Sequence, residues 1–207
     1  MNVGLVPMSA KPYHAGHHWL VEKAARENDR VILFVSTSDR LRKGEHPIHG
    51  GNMVRVWQEE LEPIMPSNVE VRYGGAPVQK VYAEIDSGAS MGTDDVYFIY
   101  SDATDTMRNY PEKSRSKYME PLYSQGQVRF PAEENPQGFT RGEGSPDVSG
   151  TAMRQALKHC DIQAFGKGLP RGVNVENVYN ILCGDTNEHH QHNDSVLREY
   201  IKAILII

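Results

Sequence analysis

Unbroken apolar runs of strand length alternate along the chain with stretches whose apolar residues recur every three or four positions. Asn2–Met8 (NVGLVPM), closed by Pro7, and Arg30–Thr37 (RVILFVST) are such runs. Continuous rather than alternating hydrophobicity predicts strands covered on both faces, as in a parallel sheet. Val69–Tyr73, Asp95–Ala103 and Gln127–Pro131 read as third, fourth and fifth strands. Between them, Trp19, Leu20, Ala24 and Ala25 space a helix over Ala15–Asn28. Met53, Val56, Trp57 and Leu61 space another over Asn52–Ile64, with Asn52 as its cap. Val78–Asp86 predicts a short helix followed by a glycine-bearing turn, and Gly150–Cys160 and Asn174–Leu182 predict two more helices. Trp19 and Trp57 lie on apolar helical faces and are expected in the core. A last amphipathic helix is expected over Ser195–Ile207. Its stripe of Val196, Leu197, Tyr200, Ile201, Ile204 and Leu205 is expected to dock on its own domain or on a second copy of the chain.

Strands alternating with helices predict an α/β fold: a Rossmann-like, doubly wound parallel sheet of about five strands with a C-terminal helical extension. With 207 residues the chain suits one domain. We divide it into a Rossmann-like domain over residues 1–160 and a helical extension over 161–207 packed on the same domain. Ligands of such sheets bind beyond the carboxyl ends of the strands, near the point where strand order reverses. The first strand runs directly into PMSAKPYHAGHH, so its histidines stand where a ligand is expected.

Composition narrows the classes of function. The formal net charge of −5 carries no nucleic-acid footprint. The first residues have no basic leader pattern, and the apolar AILII at the end is far too short to span a bilayer. Cys160 and Cys183 read as thiols of a reducing compartment. A cytoplasmic protein without a membrane partner is therefore expected.

Three histidines within five residues, around Gly16, have no use in a core. The helix beginning near His14 offers free N–H groups and a positive dipole end to an anion. Gly16 lets a phosphate approach the backbone closely. His14 and His17 are three residues apart and share one face of the first turn, so both imidazoles can donate to the same phosphoryl oxygens. Lys11 adds a fixed positive charge just upstream. Such equipment stabilises charge on phosphorus by positioning and electrostatics, with no covalent intermediate. A zinc site would need a third ligand that the stretch does not supply, and no protein metal site is expected. His18 matches no position of this pattern and reads as structural. His189, His190 and His192 read as a polar linker.

PYHAGH resembles the H-x-G-H signature of the nucleotidylyltransferases, nearest the P-F-H-x-G-H form of archaeal-type nicotinamide mononucleotide adenylyltransferases. Asp147–Leu157 (DVSGTAMRQAL) resembles the second signature of that superfamily, in the S-G-T-x-x-R form seen in ATP sulfurylase. The resemblance covers about Val3 to Leu157. It implies transfer of an NMP group, AMP from ATP, to an acceptor phosphate with release of pyrophosphate. It implies that His14 and His17 act on the α-phosphoryl group and that Lys11, Ser149, Thr151 and Arg154 hold the β- and γ-phosphates. Pro7, Met8, Ser9, Gly16, Asp102 and Gly150 would complete the nucleotide site, and Lys43 and Arg55 would hold the acceptor anion. Mg²⁺ would accompany the triphosphate. Ser9 stands where such members often carry a phosphate-binding arginine, a gap that Lys11 is placed to fill. The segment from Arg141, RGEGSPDVSGT, partly resembles the R-x-E-G-x-S-T-T pattern of cytidylyltransferases. Use of CTP, or a catalytically silent protein keeping the fold, are the alternatives.

Overall fold

A computed structural model of the chain describes residues 1–139 and 145–184. Among these residues the chain forms a five-stranded, wholly parallel sheet flanked by helices, as the pattern predicts. In chain order the strands are β1 (Asn2–Met8), β2 (Arg30–Ser36), β3 (Val69–Gly74), β4 (Val96–Ile99) and β5 (Val128–Arg129). Their spatial order is β3-β2-β1-β4-β5, so the order reverses between β1 and β4. Leu5 pairs with Ile32 on one side and Ile99 on the other.

The helices are α1 (Ala15–Glu27), α2 (Gly50–Val56), α3 (Pro77–Met91), α4 (Ala103–Asn109), α5 (Glu112–Tyr118), α6 (Pro131–Glu134), α7 (Gly150–Lys158), α8 (Ile162–Lys167) and α9 (Val175–Cys183). Strand side chains alternate between two cores. Val6, Val31, Leu33 and Val35 meet Val21 and Ala24 of α1 and Met53 and Val56 of α2 on one face. Val3, Leu5, Ile32 and Phe34 meet Val81 and Ile85 of α3 on the other. Both sets are buried, which is why the strands read as unbroken apolar runs. Each such side chain contributes roughly 1.5–3 kcal/mol by leaving water.

Three local expectations are corrected. Asn52 does not cap α2: it is buried, and its amide nitrogen donates to Ile181 O of α9 at 3.0 Å. The helix starts two residues earlier, where Asp39 Oδ1 accepts from Gly50 N at 2.7 Å. Only glycine fits there, since a Cβ on residue 50 would lie 1.7 Å from Thr37 O. The glycine-bearing stretch after Asp86 is not a turn but the rest of α3. Gly88 lies close against Tyr97, and the helix ends at Gly92, whose φ of 65° forms the left-handed cap. The fourth strand stops at Ile99, because Asp102 accepts from Asp105 N at 2.7 Å and caps α4.

Beyond α7 the described chain lies back against the sheet domain. Gly168 O accepts from Ala15 N at 2.8 Å, and Phe165 is fully buried. The terminal stripe over Ser195–Ile207, the histidines at 189, 190 and 192, and Arg141 lie outside the described residues. No helix among the described residues is long and apolar enough to cross a membrane.

Candidate active site

A cleft opens beyond the carboxyl ends of β1 and β4, at the reversal of strand order, with a volume of about 430 Å³. That is within the range of small-molecule sites. Its floor is the end of β1 and the turn into α1. Pro7, Met8, Ser9, Gly16, His14 and His17 all line it, and Asp102 lines it from the start of α4. Ala10, also in the wall, holds a φ of 48°. This left-handed conformation costs a non-glycine residue roughly 1–2 kcal/mol and turns the chain sharply out of β1.

His14 is the N-cap of α1: it is 4% exposed, and its Nδ1 accepts from His17 N at 3.3 Å. A neutral imidazole that accepts at Nδ1 carries its proton on Nε2, where it can be donated. The His14 and His17 rings stack with centroids 3.7 Å apart. Tyr13 stacks on His17 at 5.6 Å and meets Trp57 edge-on at 4.6 Å. The pair is thus backed by a buried aromatic wall. The anion-binding end of α1 is narrower than expected, because Ala15 N is committed to Gly168 O and His17 N to His14. His18 plays a structural part: its Nδ1 lies 3.2 Å from Tyr13 Oη and its Nε2 3.7 Å from Glu22.

The second signature comes back to the first. Ser149 caps α7 by accepting from Ala152 N at 3.1 Å. Gly150 lies against His14 and Arg154, its hypothetical Cβ only 3.9 Å from His14 Cδ2. Arg154, 6% exposed, donates from Nη1 to Lys11 O at 2.9 Å and from Nη2 to Thr151 Oγ1 at 3.0 Å. Ser149, Gly150, Thr151 and Arg154 stand beside the cleft rather than in its lining.

Lys11 opens on a second recess, which shares Ser9 and Ser36 with the cleft and adds Ser38, Asp39, Arg40, Leu41 and Arg42. Its Nζ donates to Ser36 O at 2.8 Å. Burial pulls its ammonium down to about 8; Asp39 partly opposes the shift and Arg40 adds to it. Phosphate binding that depends on this charge should weaken as pH rises through this range. A bound anion favours the charged form, so the midpoint in the complex should lie above 8. Titrating the affinity of a triphosphate from pH 7 to 10 should show the decline in the native chain and none in Lys11→Arg, whose charge does not titrate there.

Lys43 and Arg55 are not brought to the site. Lys43 is exposed on the loop after β2 and outside both recesses, and Arg55 faces solvent on α2, paired with Glu59 at 2.6 Å. Arg40 and Arg42 of the same loop face the recess in their place. Trp19 is not a core residue. It is half-buried in the cleft wall, whose apolar lining also includes Leu20, Phe139, Pro146 and Val148. Lys23 Nζ stands 5.3 Å from the Phe139 ring centre. Pro77, Val78, Asp105, Arg108 and Asn109 line the cleft from α3 and α4. Of these additions only Trp19 had a sequence signal, its place early in the helix that His14 caps.

Residues 3–64 match the family model of the citrate lyase ligase C-terminal domain. No curated protein matches the chain. Among solved structures, TmcAL of Thermotoga maritima bound with alpha-thio ATP is similar with a TM-score of 0.44 and 14% identity, over 90% of this chain and 56% of that one. The chain thus spans little more than half of that relative's length. The segment that matches the family model holds the first signature and ends before the second.

Proposed function

We propose that the chain transfers AMP from ATP to the phosphate of a small acceptor and releases pyrophosphate. The observation that carries this reading is the stacked His14–His17 pair at the end of β1, with the N-terminus of α7 against it. In-line attack on the α-phosphorus gathers negative charge on its non-bridging oxygens. His14, its proton directed to Nε2 by the cap, and His17 donate to those oxygens. The base lies toward Trp19 and Phe139, while Lys11, Thr151 and Arg154 hold the β- and γ-phosphates. The acceptor enters from the side of Arg108 on α4. Magnesium fits this set, since it binds through substrate phosphates and one or two carboxylates, and Asp102 and Asp105 line the cleft. When bound, it would supply charge neutralisation on the bridging phosphates.

The reading is tested by pyrophosphate release from ATP with candidate phosphorylated acceptors. No release with any acceptor, together with intact nucleotide binding, would leave the silent binding protein in its place. Nucleotide choice is tested apart from turnover. The S-G-T-x-x-R form of SGTAMR supports ATP over CTP. Calorimetry with non-hydrolysable analogues should give the ATP analogue the higher affinity. A tenfold preference for the CTP analogue, about 1.4 kcal/mol, would move the chain to the cytidylyl branch.

A further inference from the structure

Glu45, on the loop between β2 and α2, places one carboxylate between two guanidinium groups. Arg40 grips it with Nε at 2.8 Å from Oε2 and Nη2 at 3.0 Å from Oε1. Arg154 approaches the same two oxygens, its Nε 2.9 Å from Oε2 and its Nη2 3.5 Å from Oε1. Arg40 thus forks the carboxylate while Arg154 pairs with it by charge, and two guanidinium groups converging on one anion is an arrangement that also suits a phosphate.

The charges do not balance. One carboxylate faces two arginines, and Lys11 and Arg42 line the adjoining recess with only Asp39 opposite. Arg154 is almost wholly buried, and burial followed by the charge of Arg40 pull its proton affinity down. A buried cation with half a counter-ion is costly. A phosphate carrying two charges would neutralise both guanidinium groups where Glu45 neutralises one. The carboxylate can leave, because its side chain is only partly buried and reaches in from a loop anchored elsewhere. Arg40 and Ile48 exchange backbone hydrogen bonds at 2.8 and 3.1 Å, and Lys158 Nζ donates to Gly44 O at 2.8 Å.

We propose that Arg40 and Arg154 form a subsite for the terminal phosphate of a polyphosphate, and that Glu45 is its internal stand-in, displaced when the phosphate enters. The inference rests on the reading of the cleft as a nucleotidyl-transfer site and adds Arg40 and Glu45 to it. The carboxylate then has a part in turnover. As it swings back it competes with pyrophosphate for the two arginines and hastens release of that product.

The probe is inorganic pyrophosphate, its affinity measured by calorimetry on the full chain and on Glu45→Gln. Removing the competitor should raise the affinity roughly tenfold or more, and Arg40→Gln in the Glu45→Gln background should reverse the gain. Near-ultraviolet circular dichroism checks that each variant is folded. Glu45→Asp, which keeps the charge but shortens its reach, should show a smaller gain and serves if Glu45→Gln does not fold. A purely structural ion pair would lower the melting temperature of the variants without raising their affinity. Equal or weaker pyrophosphate binding in both folded Glu45 variants, while the native chain binds a non-hydrolysable ATP analogue, overturns the inference and leaves the proposed function standing. Failure of every protein to bind either probe overturns both.

Discussion

His17→Ala should lower kcat by roughly 10²–10³-fold, the loss typical of one preorganised donor to a developing oxyanion. The imidazole is held on two sides: it stacks on His14 at 3.7 Å, and Tyr13 backs it at 5.6 Å. A donor fixed in this way needs no reorganisation when charge gathers on the α-phosphoryl oxygens. In the ground state the charge of a triphosphate lies mainly on its β- and γ-groups, which other residues would hold. Nucleotide binding should therefore weaken much less, and the loss should appear in kcat and kcat/KM together. His18→Ala is the internal control and should cost less than tenfold, since that ring is tied to Tyr13 and Glu22. Equal damage from the two variants would mean that the signature is read in the wrong register. If neither matters in a folded protein, the chain is not a catalyst of this class.

Trp57→Ala should cost about 3–5 kcal/mol of stability, the range for deleting a fully buried large aromatic. Trp57 has no exposed surface and begins a wide helical turn, Trp57–Leu61, that continues α2. Its ring meets Tyr13 at 4.6 Å, beneath the histidine pair. Collapse of this helix into the cavity is opposed by its ties to α9, Asn52 to Ile181 O and Asn177 to Glu60. At roughly 2–4 °C per kcal/mol for a chain of this size, the melting temperature should fall by about 6–20 °C, as scanning calorimetry would read. Because Tyr13 loses its support, kcat should fall in the same variant even below the melting range. Unchanged melting would show that this part of the core is not as described.

Strands β1 and β2 were legible because they are buried on both faces, so strand and parallel pairing share one signal. Strand order was not, since an apolar run does not specify its neighbours. Helices α4 and α5 went unseen: at seven residues each they span two turns, too few for a periodic stripe. Gly88 misled because glycine in a helix resembles a turn until its neighbour, Tyr97, is known. The candidate site divides along the same line. Its contiguous part, from Pro7 to His17, could be read from local chemistry. Trp19, Phe139, Val78 and Arg108 meet at the cleft from four separate stretches of chain, and only topology brings them together. On the loop after β2, Arg40, Arg42 and Lys43 are alike in sequence. The backbone bridge between Arg40 and Ile48 sets the course of the loop, and two of the three side chains face the recess.

His14 answers to two demands at once. As the N-cap of α1 it must present an acceptor to His17 N. In the proposed transfer it must also present a proton at its far end. Serine, threonine, asparagine and aspartate meet the first demand and are strong caps, but none reaches across the cleft with a ring N–H. Lysine and arginine meet the second but have no acceptor to cap with. Imidazole alone among side chains carries an acceptor and a donor on opposite edges of one rigid ring. Changes at position 14 therefore trade helix against chemistry: a carboxamide also carries both an acceptor and a donor, but on one end and not across a ring.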